Sequence, residues 1–263
     1  MVNMTSRYIQ VANVKRGIMR ERVIRVLLTE PDGSLTKYQL AKKAECSFPW
    51  VHELLGKLEA LELVKGTKVT NYTDLLKYWL KVKIKPEKKE YMHRDPISLL
   101  KKAKMPYALT TYQAENLVQQ YLFPSRTDLY IKVEHIEKWH QLIAAEGLVG
   151  KGNVRLLIAD AHVFYGSFQR QGLTIVCIPQ LIVDLLEEGG VCTEAAEKLI
   201  EKVNEKLSES PDLANKDPYG EGWFATIKLE NFENDRQNLL SAQDYFEVLK
   251  RKVETERKKL VKQ

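Results

Sequence analysis

Cysteine is scarce. Cys46, Cys177 and Cys192 are the three in 263 residues, odd in number, far apart and without CxxC spacing. That excludes a disulfide framework and a zinc site built on paired thiolates. Long apolar runs are missing too, since none approaches the roughly 20 residues of a membrane-spanning helix. The N-terminal MVNMTSRYIQ lacks the apolar stretch of a signal peptide. Reduced thiols, no membrane segment and no leader give the expectation of a cytoplasmic protein. Catalytic signatures are absent as well: no Walker lysine loop, no GxGxxG and no GxSxG. His135 and His140 are five apart, off the shared helix face that i, i+4 metal ligands use. Asp160 and His162 alternate just after a predicted strand, a pair that is usually ordinary surface. No catalytic residue, no metal ligand and no cofactor is expected.

What is present is a pattern at 36–69: TKYQLAKKA, a break at Glu45-Cys46-Ser47, FPWVHELLGKLEAL and ELVKGTKV. Val51, Leu54, Leu55, Leu58 and Leu61 recur at helical spacing and form one apolar face. Thr36 with Gln39 has capping-box spacing, Ser47 can cap the next helix, and Pro49 sits in its first turn. Lys65-Gly66-Thr67-Lys68 reads as a hairpin turn. Short helix, tight turn, second helix and basic hairpin make a winged helix-turn-helix pattern. Its candidate DNA-facing residues are Pro49, Trp50, His52 and Lys57 on the second helix, with Lys65 and Lys68 on the wing. Gly56 in mid-helix costs about 1 kcal/mol against alanine, which points to close approach of backbone or DNA there.

Charge supports that reading. Residues 1–105 hold 22 Lys/Arg against 11 Asp/Glu, and residues 106–263 hold 19 against 24. A basic front beside an acidic remainder points to double-stranded DNA as partner of the front.

The front opens with a helix at 17–29, Arg16, Arg20, Arg22 and Arg25 largely outward, and a turn at Pro31-Asp32-Gly33-Ser34. A closing helix at 74–80 and a strand-like or extended connection at 81–96 lead to a boundary near 95–105. From Tyr107 the pattern is mixed α/β. ALTTYQAENLVQQYL reads as helical with Thr110 or Thr111 near its cap, DLYIKV, VRLLIAD and GLTIVCI as strands, and 134–146 as a helix closed by Gly147. PQLIVDLLEEGG and TEAAEKLIEKVNEKL read as two further helices. Beyond 208 come a strand, GWFATIKL, and a charged helix from about Ser241 whose apolar stripe is the basis for expecting a homodimer. The expected architecture is α+β or α/β in three parts: a winged helix-turn-helix at 1–95, an α/β domain at 96–207 and a strand-helix appendage at 208–263. Tyr165-Gly166-Ser167 before GLTIVCI is similar to the Gly-Ser opening of nucleotidyltransferases. The following strand, however, offers Thr174, Ile175 and Val176 where such enzymes carry metal-binding carboxylates.

From about 17 to 203 the chain resembles the AbiEi-type transcriptional regulators, the antitoxin side of type IV toxin–antitoxin systems. The basic winged helix, Tyr107-Ala108-Leu109-Thr110 with Ala114, and PQLIVDLLEEGG followed by TEAAEKLIEKV carry the resemblance. It implies a DNA-binding repressor with an inactive, nucleotidyltransferase-like second domain and no stable toxin contact. The tail resembles something else. Val203-Asn204-Glu205, Pro211, Asp217-Pro218-Tyr219-Gly220, Gly222-Trp223 and Leu240-Ser241-Ala242 are similar to the C-terminal part of the glycine cleavage system H protein. In that family the lipoyl-bearing lysine lies N-terminal to this segment, where this chain has TEAAEKLI, so no lipoyl lysine is assigned. The alternative functions are thus an H-protein-related carrier or scaffold and, second, a nucleotidyltransferase.

Overall fold

The computed structural model describes the backbone of residues 4–208 and the side chains of residues 16–203. The expected strand GWFATIKL, the helix from Ser241 and the dimer contact placed on it lie outside the described residues. Among the described residues, no helix is long and apolar enough to cross a membrane.

The front of the chain is α1 (Met4–Thr29), α2 (Lys37–Lys43), α3 (Phe48–Ala60), β1 (Val64–Lys65), β2 (Lys68–Val69) and α4 (Tyr72–Val82). Thr36 and Gln39 form the expected capping box: the Gln39 amide donates to the Thr36 hydroxyl and the Thr36 amide to the Gln39 side chain. Glu45 turns the chain at φ +53°, and the Cys46 amide returns to the Ala41 carbonyl at 3.0 Å. Ser47 occupies the N-cap of α3 but its side chain makes no cap bond. Val51, Leu54, Leu55 and Leu58 are buried, whereas Leu61 is 54% exposed. Leu61 stands at the C-cap, where the backbone has left the helix and its periodicity no longer applies. β1 and β2 pair as a hairpin with Val64 opposite Val69 and Lys65 opposite Lys68.

Behind the front lies a seven-stranded mixed sheet. Its elements are β3 (Glu87–His93), α5 (Pro96–Lys102), β4 (Tyr107–Thr110), α6 (Thr111–Gln119), β5 (Thr127–Ile131), α7 (Ile136–Ala144), β6 (Gly147–Val149), β7 (Val154–Ile158), β8 (Phe168–Arg170), β9 (Leu173–Ile175), α8 (Ile178–Glu188) and α9 (Val191–Ser208). The strand order is β6-β3-β7-β5-β4-β9-β8. β5 runs parallel to β7 and β4 to β9; the other neighbours are antiparallel.

Four expectations differ from this structure. Ala108 and Leu109, read as helical, instead form β4 with Tyr107 and Thr110 in the sheet interior, while Thr110 stands at the N-cap of α6 as expected. Each of the four is buried, so the segment lacks the alternation that marks a half-buried strand. The chain turns directly from β4 into α6 at Thr111, whose φ of +50° is costly for a β-branched residue. Gly147 opens β6 instead of closing a helix. Phe168–Arg170 is a short strand beyond those expected. By contrast, Glu87–His93 agrees with the strand-like alternative read at 81–96, and it is hydrogen-bonded between β6 and β7.

The fourth difference concerns α1. Arg25, expected outward, is only 3% exposed. α1 and α4 pack on α8, and the outer face of α1 is where the sheet side docks. The Arg25 guanidinium lies 5.2 Å over the Trp79 ring and donates twice to Gln180 Oε1, at 3.0 and 2.8 Å. It also donates to His162 Nδ1 at 3.0 Å, and His162 Nε2 donates to the Lys43 carbonyl at 2.9 Å. Because arginine can only donate, Nδ1 is the acceptor and the proton sits on Nε2, so the ring is neutral. It stacks on Tyr165 at 5.1 Å, and the Tyr165 hydroxyl donates to Glu30. One turn away, Arg22 grips Asp160 with Nε and a terminal nitrogen at 2.9 and 2.5 Å, its other nitrogen reaching Glu45 at 2.7 Å.

Burial holds the His162 pKa below its ordinary value, and the charges of Arg25 and Arg22 push the same way. The Lys43 carbonyl and Asp160 oppose them. Between the unfolded value near 6.5 and the lowered folded value, the unfolded chain binds the extra proton. Stability from this residue is therefore complete above about pH 6.5 and is lost as pH falls through the folded value. Urea unfolding at pH 7.5 and 5.5 checks this. We expect His162→Gln to cost about 1–3 kcal/mol at the higher pH and to flatten the decline towards the lower one. An undiminished decline in the variant would assign it to other groups.

Candidate nucleic-acid interface

α3 owes its position to its buried stripe, which leaves the opposite side in solvent. Pro49, His52 and Lys57 are exposed there; Trp50 is half-buried and packs on the core. His52 stacks on Phe48 with ring centroids 6.2 Å apart. Lys57 Nζ lies 2.6 Å from Glu53 Oε1, one turn away, both side chains about two-thirds exposed. Such an exposed pair contributes a fraction of a kcal/mol, so Lys57 can exchange Glu53 for another anion cheaply. Among the described residues, an alanine Cβ at Gly56 would meet no atom within 4 Å beyond its own helix. Protein backbone therefore does not account for this glycine; its face is open.

The hairpin beside it is short and tied down. The Gly66 amide donates to Glu59 of α3 at 2.7 Å, with Gly66 at φ +65° in the turn. The Thr67 hydroxyl donates to the Leu35 carbonyl at 2.5 Å, which buries the tip. The Asp32 backbone pairs with that of Lys68 as an isolated antiparallel bridge, and the Val69 amide donates to the Pro31 carbonyl at 2.9 Å. A Cβ at Gly33 (φ +79°) would stand 2.7 Å from Lys68 Cβ, so only glycine fits that turn. Lys65 and Lys68 are both exposed. The structure thus groups Pro49, His52, Lys57, Lys65 and Lys68 on α3 and the hairpin, with Trp50 turned partly inward. The charge of α3 itself is mixed, Glu53 and Glu59 standing beside Lys57.

A second cluster of charges fills the cleft where β5, β7 and α8 meet. Asp184 accepts from Thr110 (2.6 Å), Tyr130 (3.0 Å) and Gln180 (2.8 Å), and Lys83 Nζ lies 2.7 Å away. Asp128 accepts from Nε and Nη2 of Arg126 at 2.6 and 2.7 Å and from the Thr111 hydroxyl. Glu188 bridges Arg126 and Arg155 at 2.8 and 3.2 Å. Burial lowers the Lys83 pKa, but Asp184 and Glu187 more than reverse it and hold the ammonium above its ordinary value. Burial raises that of Glu188, which Arg126 and Arg155 outweigh, holding it below the usual carboxylate range. Burial, then Asp184, drives the Tyr130 phenol well up. Lys83, Glu188 and Tyr130 are each held in their ordinary charge state, away from the range in which a side chain exchanges a proton near neutral pH. The thiols are no better placed, since burial raises Cys46 to about 11 and raises Cys177 as well.

Asp160 and His162, read from sequence as ordinary surface, are the sheet side's half of the junction with α1. A strand-end Asp-x-His gives no local sign of that role, because both partners, Arg22 and Arg25, lie more than 130 residues away.

Comparison with known proteins bears on the tail. The glycine cleavage H-protein family model matches residues 190–252. Glycine cleavage system H protein 2 of Aquifex aeolicus (strain VF5) is 43% identical over 68 residues, 26% of this chain and 42% of that protein. Probable glycine cleavage system H protein 1 of Saccharolobus solfataricus is 44% identical over 52 residues, 20% of this chain and 38% of its own. The H protein of Xylella fastidiosa (strain Temecula1) is 52% identical over 52 residues, with the same shares of 20% and 38%. The chain spans about two fifths of the length of these curated relatives. No solved structure matches. Its C-terminal region is thus similar to glycine cleavage H proteins, and that similarity begins at the start of α9.

Proposed function

We propose that the chain is a non-catalytic, cytoplasmic DNA-binding regulator of the AbiEi antitoxin kind, with a winged helix at the front and a degenerate nucleotidyltransferase-like sheet domain behind it. The observation that carries this reading is the open face of α3 around Gly56, flanked by His52, Lys57 and the exposed hairpin lysines Lys65 and Lys68. A major groove about 12 Å wide admits such a helix edge-on. In that pose Lys57, Lys65 and Lys68 neutralise phosphates, while His52 and Pro49 approach bases or nearby backbone. Trp50 contributes mainly by fixing the start of the helix.

A gel-shift titration on the DNA upstream of the protein's own gene, at several salt concentrations, tests the assignment. Lys57→Ala with Lys68→Ala is expected to weaken binding and to reduce the slope of log K against log salt by about 2. Unchanged affinity and slope would show that this face is not used. Gly56 separates folding from docking. Gly56→Ala should stabilise the free protein by about 1 kcal/mol in urea unfolding, whereas Gly56→Leu should leave folding intact and block DNA.

The tail supports a second reading, an H-protein-related carrier or scaffold, because residues 190–252 match that family. Intact mass after expression in a lipoylating host distinguishes the two. We expect the unmodified mass; a lipoyl adduct would establish the carrier instead.

A further inference from the structure

Between α1 and the sheet lies a cavity of about 230 Å³. At about 30 Å³ per liquid water it has room for roughly eight waters, the scale of a small organic molecule. Its apolar lining is Ile18 from α1, Ile84 and Pro86 from the segment before β3, and Ile158 and Ala159 from the end of β7. Five charged residues share the lining, and their commitments differ. Arg22 is held by Asp160, and Arg25 by Gln180 and His162. Glu21 accepts the Ile84 amide and stands 3.8 Å from Arg25; burial pushes its carboxyl up. Lys85 is exposed and makes no ion pair among the described residues. Asp160 and Glu45 offset Arg22, and Glu21 stands beside Arg25, so Lys85 is the lining cation with no carboxylate partner among the described residues.

We infer that this cavity is a binding site for a small organic acid with an apolar body and a single carboxylate. The body sits among Ile18, Ile84 and Ile158, and the carboxylate meets Lys85. A cation gains nothing there, because both carboxylates already have partners. A phosphate dianion would need more than one available donor cation. The ligand would wedge against α1, the helix that carries Arg22 and Arg25 into the junction. A regulatory effect on DNA binding rests on the function proposed above; the binding itself does not.

Isothermal titration calorimetry and thermal unfolding of the full chain test the site, with benzoate and phenylacetate as probes. Benzamide and benzylamine serve as their neutral and cationic counterparts. The two acids should bind and raise Tm as a native-state ligand must, with benzamide at least about tenfold weaker. Lys85→Gln should weaken the acids about tenfold without moving the unliganded Tm, and Ala159→Leu should abolish their binding by filling the space. The assignment is overturned if the acids do not bind, if acid and amide bind alike, or if Lys85→Gln binds as well as the parent. A gel shift with and without benzoate completes the experiment. Acid binding in a protein that shifts no DNA would uphold the cavity assignment and remove the regulator reading.

Discussion

The buried guanidinium of Arg25 is the constraint on which the arrangement of this molecule depends. A cation removed from water must be compensated by fixed partners, and Arg25 draws them from three places. Trp79 comes from α4, Gln180 from α8 and His162 from the loop after β7. Through His162 the chain of contacts continues to the carbonyl of Lys43, at the end of α2. One side chain on the first helix thereby sets where α2, α4, α8 and the β7 end stand relative to each other. Removing any partner leaves charge or polarity stranded in the interior, so the constraint is mutual.

This junction also changes how the charge polarity of the chain is understood. A basic front and an acidic remainder were grounds for expecting a nucleic-acid partner. In the structure, part of that attraction is satisfied internally: Arg22 meets Asp160, and Lys83 meets Asp184 and Glu187. These cations come from the basic half and their carboxylates from the other. The positive charge left for an external anion is correspondingly smaller. It is concentrated in exposed lysines such as Lys57 and Lys65, and the acidic residues of α3 moderate it further.

Local signals were legible where the relevant contacts are local. The capping box at Thr36 and Gln39, the stripe from Val51 to Leu58 and the pairing of β1 with β2 are each set by neighbours within a dozen residues, although Pro31, Asp32 and Leu35 also anchor the hairpin. They are also the elements of the candidate interface, which is why its residues could be named from sequence. What escaped notice depends on distant partners. Arg25 looked solvent-facing because its outer helix face becomes interior only when the sheet docks. Ala108 and Leu109 look helical because a strand buried on both faces loses its alternation. Asp160 and His162 looked incidental because their partners are in α1. Trp50 lies between these cases: helical phase places it near the wet side, yet its large ring reaches back to the core.

The place of β3 in the sheet has a consequence for modularity. Glu87–His93 follows the front with hardly a linker, yet it is bonded on both edges, to β6 and to β7. Severing the chain after residue 95 would take a strand out of the sheet along with the helices. It would also leave Arg25 without His162 and Gln180. The front of this protein is therefore not a cassette that recombination could transplant onto another body by itself. Any exchange that kept both halves folded would have to carry the sheet, or at least the β7 loop and α8, along with it.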